Sequence, residues 1–360
     1  MINTLYTNAK LSQFKFKFTA SELIASKPPK QRDMARLMVL DRNTKTIEHK
    51  LFKDILDYLD ENDLMVLNNT RVFPARLRGE KEKTGAQITV VLLRELNAET
   101  YLWDVIVDPA RKIRIGNKLY FGDDDALVAE VIDNTTSRGR AIRFLFDGTH
   151  DELIKSIKSI GMAPMPEEIL KIREVTNADL NDYQSLFAKV EGSVAAPTTS
   201  LHFSRELLTR MEIKGVRRTE LTVHCGIGSF QSIEVEDLSK HRQDSEEMHI
   251  GSQCCDNINK AHREGRRILA VGTSVLRALE TAQTIPGKVA PFDGWNNRFI
   301  FPPHDFTINN MLVANFQPPM TPRFILVSAF GGPELVMEAY KTAVKEKYKF
   351  GTYGDALLIK

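Results

Sequence analysis

Cysteine is scarce: three residues in 360, Cys225 and the adjacent pair Cys254 and Cys255. An odd count with that spacing suits neither a disulfide framework nor a zinc ligand set, so free thiols in a reducing compartment are expected. No apolar run approaches the roughly 18 residues that a membrane span requires, so no membrane association is expected. Residues 1–13 lack the apolar stretch and small-residue cleavage site of a secretory leader, which makes a cytoplasmic location the expectation. Charge of one sign is lacking too: 49 Lys and Arg against 47 Asp and Glu leave a net charge of +2. Global electrostatics therefore do not announce a nucleic-acid binder, and any RNA contact has to come from local patches. Internal repeats and low-complexity tracts are also missing.

What remains is ordinary globular composition, 42% hydrophobic and 27% charged, at a length that suggests two domains. Residues 63–68 (DLMVLN) read as a buried strand. Between residues 74 and 150 short β-rich runs recur at 87–93, 101–107, 118–121, 127–132 and 141–146, punctuated by Gly85, Gly116, Gly122 and Gly139. Such spacing suggests a small barrel or sandwich. After residue 151 helices alternate with strands: a helix over 204–214 capped by Ser204, a strand over 217–223, and a helix from Ser252 to near Gly265. A strand over 266–271, a helix over 274–283, a strand over 324–328 and a last helix over 334–348 follow. The expected class is α/β: a mixed, largely parallel sheet layer with helices, plus an inserted all-β barrel domain. The expected domains are 1–73 with 151–360, and the insert 74–150.

Residues 266–280 (RRILAVGTSVLRALE) read as an apolar strand that ends at Gly272 and Thr273, where a helix begins at once. In open α/β sheets ligands sit beyond the carboxyl ends of strands, and a helix N-terminus there offers free N–H groups to an anion. Gly272 and Thr273 are candidates to bind one; an empty βα turn is the plainer reading. Arg277 and Glu280 share a helix face at i,i+3 spacing and either serve that site or pair with each other. Residues 192–203 (GSVAAPTTSLHF) form a compact small-residue loop containing Thr198 and ending in His202. Ser200 lacks the flanking glycines of a nucleophile elbow.

Residues 221–230 (LTVHCGIGSF) place His224 at a strand end, with Gly226 and Gly228 freeing the backbone beside it. The third glycine and the helix of a dinucleotide fingerprint are missing. Each histidine alone is more often structural than catalytic; two in such settings suggest one pocket. No third ligand of metal spacing accompanies them. The polar cluster 241–246 (HRQDSE) adds Ser245 and Glu246 as binding candidates, and 315–319 (NFQPP) adds Asn315. Asp355, inside an apolar tail, is either a catalytic carboxylate or a turn residue. Arg36, Arg71, Arg76 and Arg111 are candidates for RNA phosphate, which arginine binds bidentately; solvated surface is the alternative. The insert holds 12 Lys and Arg against 12 Asp and Glu, so it is not a basic platform, although Arg111, Lys112 and Arg114 make a local basic spot.

Taken together these segments resemble the S-adenosylmethionine:tRNA ribosyltransferase-isomerase family of queuosine synthesis, nearly end to end. The residues that carry the resemblance are RDMARLMVLDR (32–42), LNNTRVFPARLRG (67–79), AAPTTSLHF (195–203), LTVHCGIGSF (221–230), VGTSVLRALE (271–280), NF (315–316), LVSAFGG (326–332) and YGDALLI (353–359). The resemblance implies an α/β domain with an inserted β-barrel. It implies tRNA and S-adenosylmethionine as partners and 7-aminomethyl-7-deazaguanine at the wobble position as acceptor. Epoxyqueuosine, adenine and methionine are the implied products. S-adenosylmethionine is a co-substrate there, with no prosthetic group and no metal. A monomer is expected.

That chemistry implies roles. The sulfonium acidifies the C5′ protons, so a base can form an ylide; adenine leaves with a proton; the acceptor amine must lose its charge before attack. A group titrating near neutrality is wanted, and histidine is the natural candidate. His202 or His224 is expected as base, with the other in adenine departure or orientation. Glu280 or Asp355 is expected to hold the substrate amine, and the helix start at Gly272 and Thr273 the methionine carboxylate.

The chain also departs from the family. Gln243-Asp244-Ser245-Glu246 stands for Met-His-Ser-Glu, and Phe316-Gln317-Pro318-Pro319 for Phe-His-Leu-Pro. Asp108 stands for an arginine, Glu168 for a tyrosine and Lys17 for an aspartate. Two further readings follow: an RNA-binding or regulatory paralogue of the same fold without turnover, and a different S-adenosylmethionine-dependent transferase acting on a small molecule.

Overall fold

Apolar runs too continuous to alternate between two faces become strands covered on both sides. In the computed structural model, which describes residues 9–135, 139–230 and 232–360 and leaves the side chains of Ser229 and Phe230 aside, the first of these are β1 (Arg36–Asp41) and β3 (Leu64–Asn68). β2 (Thr46–Leu51), more exposed, lies between them in sequence. Residues 1–8 of the stretch read for a leader, and those two side chains of the 221–230 motif, lie outside the described residues. The chain clusters into two units: Met1–Arg71 with Pro166–Glu174 and Gln184–Lys360, and Val72–Met165 with Val175–Tyr183.

The second unit is a closed antiparallel barrel of six strands. They are β4 (Arg76–Lys81), β5 (Ala86–Asn97), β6 (Leu102–Asp108), β7 (Lys118–Phe121), β8 (Leu127–Asn134) and β9 (Arg140–Phe144). Around the barrel the order is β9-β6-β5-β4-β7-β8. Side chains alternate, so Leu77, Val90, Leu92, Val105, Leu119, Val131 and Ile142 fill the interior. Gly79 is required by close approach: a Cβ there would lie 2.2 Å from the Tyr120 carbonyl oxygen. β4 was not among the expected strands, because its charged residues (RLRGEK) hide the period-2 pattern. After the barrel, α1 (His150–Ile160) starts from a capping box in which Thr149 and Glu152 satisfy each other's N–H groups.

The first unit continues with β10 (Arg217–Val223), β11 (Glu246–Ile250), β12 (Ile268–Val271), β13 (Phe292–Asn296), β14 (Met311–Asn315) and β15 (Ala356–Ile359). With β1, β2 and β3 they form one nine-stranded sheet in the order β13-β11-β10-β3-β12-β14-β15-β1-β2. The pairs β10–β3, β3–β12, β12–β14 and β15–β1 are parallel and the others antiparallel, so the sheet is mixed with its parallel run at the centre. Its helices are α2 (Arg205–Ile213), α3 (Ser252–Arg263), α4 (Thr273–Ala282), α5 (Pro322–Gly331) and α6 (Pro333–Lys345). Ser204 caps α2 by accepting the Leu207 N–H. One face of the sheet buries Leu37, Val39, Leu67, Val271 and Leu358 against Phe52, Ile55, Leu207 and Met211. α4 packs against β3, β10, β12 and β14.

One expected strand is a helix. The run FILVSAF, read as a strand over 324–328, lies inside α5, which is buried on almost every side. A short apolar run does not distinguish a buried strand from a buried helix. The deciding signal is upstream: the Thr321 hydroxyl accepts the Phe324 N–H, and Pro322 takes the first helical position. The fold thus brings the carboxyl ends of β3, β10, β12 and β14 to one edge of the sheet, where the loops after them meet the start of α5.

Candidate active site

A cleft lies beyond those strand ends. Its walls are residues 197–199, Cys225, Gln243, Glu246, residues 272–274, Arg277, residues 298–300, Pro322, Arg323 and Leu326. Gly272 turns the chain from β12 into α4 with φ 91°, a conformation suited to glycine. Its N–H bonds the Val313 carbonyl at 2.8 Å, which fixes the turn to β14. The first N–H groups of α4 have no partner within the helix and face the cleft with the positive end of its dipole.

Charge is concentrated here to an unusual degree for a buried region. Arg277 and Arg323 are buried, and so is Glu246. One Glu246 oxygen takes the Arg277 guanidinium; the other accepts the Gly226 N–H at 2.9 Å. Glu246 therefore ties the 225–228 loop to α4. Burial, with Arg323 close by, lowers the Arg277 pKa to about 10, so it stays charged at neutral pH. Burial also pushes the Cys225 thiol up, which keeps it protonated. Arg298 hydrogen-bonds the Glu280 carbonyl, and its own N–H reaches Asn296 Oδ1 at 3.0 Å.

Thr273, Arg277 and Glu280 share one face of α4 at i, i+4 and i+7. Arg277 and Glu280 do not pair with each other: Arg277 goes to Glu246, and Glu280 Oε2 lies 2.7 Å from His304 Nε2. Glu280 Oε1 is buried without a hydrogen-bond partner, as is Asn296 Nδ2 in the same network. Buried polar atoms nearly always have a partner, so these two stand out; neither Glu280, expected as a catalytic residue, nor Asn296 lines the cleft, and both reach its wall through Arg298.

The two histidines expected to share the pocket do not line it. His202 is buried, stacked on Phe52 with centroids 4.8 Å apart, and its Nε2 meets Asn315 Oδ1 at 3.1 Å. Asn315 in turn donates to the carbonyls of Gly351, Thr352 and Gly354, so both residues hold the tail turn. His224 is half-buried, with Nδ1 2.8 Å from Thr70 Oγ1. It packs where a Cβ on Gly192 would come within 2.8 Å. Asp355 is a turn residue before β15: its two oxygens accept the Arg36 N–H at 2.8 Å and the Lys349 N–H at 2.7 Å. Gly228 makes room for the Asp244 carboxylate, and Ser245 is exposed. Of the expected binding residues, Thr198, Glu246, Gly272, Thr273 and Arg277 line the cleft.

Among the expected phosphate contacts, Arg36 lies 3.6 Å over the Tyr348 ring and donates to the Glu346 carbonyl, so its charge is used within the fold. Arg76 is half-buried, and burial lowers its pKa. Arg71 and Arg111 are exposed. Among the described residues no three His, Cys, Asp or Glu side chains cluster as a metal site, and no helix is long and apolar enough to cross a membrane.

Burial holds the His202 pKa down at about 4. A group whose folded pKa lies below its unfolded value of about 6.5 stabilises the fold fully above pH 6.5. That contribution is lost as pH falls, because the unfolded chain then binds the extra proton. Between pH 7 and pH 5 the unfolding free energy is expected to drop by about 2 kcal/mol from His202 alone. His224 and His241, shifted the same way by burial, add to it. Denaturant titrations across that range should show a clearly shallower slope in His202→Gln; an unchanged slope overturns the assignment.

Sequence reasoning missed Gln243, Arg298, Phe299, Ile300, Arg323 and His304. Residues 292–310 carry little periodicity, so only the fold places Arg298 and His304 beside α4. Arg323 had a readable signal, a cation in the first turn of a helix that is otherwise apolar.

Comparison with known proteins agrees on one description. A family model described as "Queuosine biosynthesis protein" matches residues 11–359. A Phocaeicola vulgatus protein named S-adenosylmethionine:tRNA ribosyltransferase-isomerase is 59% identical over 350 residues, covering 97% of this chain and 99% of that one. A Bacteroides fragilis protein of the same name is 58% identical over the same coverage. The crystal structure of an S-adenosylmethionine tRNA ribosyltransferase from Thermotoga maritima superposes with a TM-score of 0.55 at 31% identity, covering 97% of this chain and all of that one.

Proposed function

The chain belongs to the queuosine biosynthesis protein family, and from that premise we propose that it transfers and isomerises the ribosyl group of S-adenosylmethionine onto 7-aminomethyl-7-deazaguanine in tRNA, giving epoxyqueuosine-tRNA, adenine and methionine. The observation that carries this is the cleft at the α4 N-terminus, which joins an anion-accepting end to an apolar wall. S-adenosylmethionine presents both counterparts. Its carboxylate suits the first N–H groups of α4 with Arg323, and its adenine suits the wall of Phe299, Ile300 and Leu326. S-adenosylmethionine is then a co-substrate, not a resident cofactor. Cytoplasmic tRNA and a single chain as the working unit complete the reading.

The cleft's positive charge favours loss of a proton next to a sulfonium, because the ylide carries less net charge than its precursor. Behind the cleft wall, where Arg298 holds the Glu280 carbonyl, proton handling goes to Glu280 with His304. The orphaned Glu280 oxygen suits the substrate ammonium, and the imidazole beside it can pass the proton on. The relatives carry the name of an enzyme, which favours turnover over the reading without it. Gln243 lines the cleft, and Glu168 clamps the tail turn by accepting the Thr352 N–H at 2.7 Å and hydroxyl at 2.9 Å.

The test is incubation with S-adenosylmethionine and tRNA carrying the aminomethyl base, scored for free adenine and modified nucleoside. Turnover is expected, with Glu280→Gln slowed at least about 10²-fold as for loss of an acid–base group. Wild-type protein that binds tRNA yet releases no adenine overturns the enzymatic reading. A Glu280→Gln rate within threefold of wild type removes Glu280 from it.

A further inference from the structure

The barrel's balanced charge count conceals a segregation that its topology creates. Six antiparallel strands put their connections alternately at two ends. At one end lie residues 82–85, 109–117 and, in its described part, the β8–β9 connection. Here the loops carry Lys83, Arg111, Lys112 and Arg114. The carboxylates at this end are Glu80, Glu82, Asp108 and Asp133, and its strand ends add Lys81 and Lys118. At the other end lie residues 98–101, 122–126 and 145–149, which carry Glu99, Asp123, Asp124, Asp125 and Asp147 and no Lys or Arg; the strand ends there add Arg76 and Arg143. α1 runs to this acidic end: Ile160 Cγ2 lies 3.2 Å from where a Gly122 Cβ would sit.

The basic end is also held in shape. The Arg140 guanidinium donates to the carbonyls of Ala110 at 3.1 Å, Ile113 at 3.2 Å and Gly139 at 2.9 Å. Lys81 Nζ donates to the Lys112 carbonyl at 3.0 Å, and the Arg114 N–H to Asn117 Oδ1 at 2.9 Å. Ile113 is buried beneath, so the turn cannot swing freely. Two cations thus fix the backbone of the 110–114 turn. Arg111, Lys112 and Arg114 remain exposed, with no carboxylate partner among the described residues. A merely solvated surface mixes both signs to limit repulsion. A fixed turn that gathers unpartnered cations at one end instead suits a polyanion with regularly spaced charges.

We propose that this end of the barrel binds phosphates of the RNA backbone, through Arg111, Lys112 and Arg114, an assignment that rests on the tRNA reading above. Each contact releases condensed counterions, so each contributes about 0.7 to 0.9 to the slope of log affinity against log salt. The acidic end repels the same backbone and gives the bound RNA one orientation on the barrel.

The test compares full-length wild type with Arg111→Ala/Lys112→Ala/Arg114→Ala, measuring tRNA affinity across a salt series and steady-state kinetics. The variant is expected to lose about two units of salt slope, to bind tRNA at least 30-fold more weakly at 0.15 M salt, and to raise KM for tRNA. Its kcat at saturating tRNA and KM for S-adenosylmethionine should stay within threefold of wild type. Arg111→Lys/Arg114→Lys, which keeps the charge, should retain the slope. Asp123→Asn/Asp124→Asn/Asp125→Asn should bind tRNA no more weakly than wild type. Unchanged tRNA affinity and slope in the triple-alanine variant, including the case where only binding to an acidic protein is lost, overturns the proposal. Failure of the wild type itself to bind tRNA refutes instead the reading on which it rests.

Discussion

Glu246→Ala should lose roughly 3–5 kcal/mol of unfolding free energy together with most of its adenine-releasing activity. Its carboxylate compensates a guanidinium that is almost wholly out of water and receives the Gly226 N–H with its second oxygen. Removing one partner of a buried ion pair leaves the other uncompensated, and losses of that size follow. The effect on activity has a different route. Without Glu246 the 225–228 loop is released from α4, and Arg277 must find water or move, so the cleft loses both a wall and its charge pattern. Glu246→Gln keeps an acceptor for Gly226 but not the charge, and should fall between wild type and alanine. Denaturant titration and the adenine assay read the two effects separately. A stability loss under about 1 kcal/mol in Glu246→Ala shows that the pair does not organise the cleft.

Arg323→Met should leave the fold nearly intact and lower kcat/KM for S-adenosylmethionine by at least about 30-fold. Methionine keeps the length and apolar stem of arginine, so packing at the start of α5 changes little, while the guanidinium disappears. Losing a buried, hydrogen-bonded partner of a carboxylate costs about 2–5 kcal/mol, and each 1.4 kcal/mol is tenfold in affinity. Lysine restores charge but not the planar fork, so Arg323→Lys should recover only part of the loss. A ligand series separates this from a general defect. An S-adenosylmethionine analogue lacking the carboxylate should bind wild type and Arg323→Met alike. If Arg323→Met discriminates against that analogue as strongly as wild type does, the carboxylate is held elsewhere.

The layers and most of the barrel could be read from local pattern: apolar runs at 64–68 and 268–271, a capped helix after Ser204, and glycine-punctuated short strands between 87 and 146; the helix after Thr321 reads as a strand and β4 goes unread. The half of the cleft built from one continuous strand–turn–helix, Gly272 to Arg277, could be read as well, since its parts are neighbours in sequence. The histidines misled because a small-residue loop that delivers a side chain to a pocket looks the same as one that packs it into a core. His202 is stacked on Phe52, more than a hundred residues away in sequence, and no local pattern reports that contact. Arg298 and His304 escaped for the same reason: their places beside α4 come from which loops the sheet order brings together. The charge segregation of the barrel escaped because a count over the insert cannot register which end of a strand each residue occupies.

The tail strand has a consequence for how the protein is made. Leu37 of β1 pairs with Ala356 of β15, and β15 also lies against β14, so a strand made early waits for one made at the end of this sequence. At roughly 5–20 residues per second the ribosome takes tens of seconds to cover the interval. The barrel, whose partners are near neighbours in the chain, can assemble while translation proceeds. The sheet that carries the cleft cannot, and the nascent chain shows an open apolar edge between β14 and β1 until the last strand emerges and slots in.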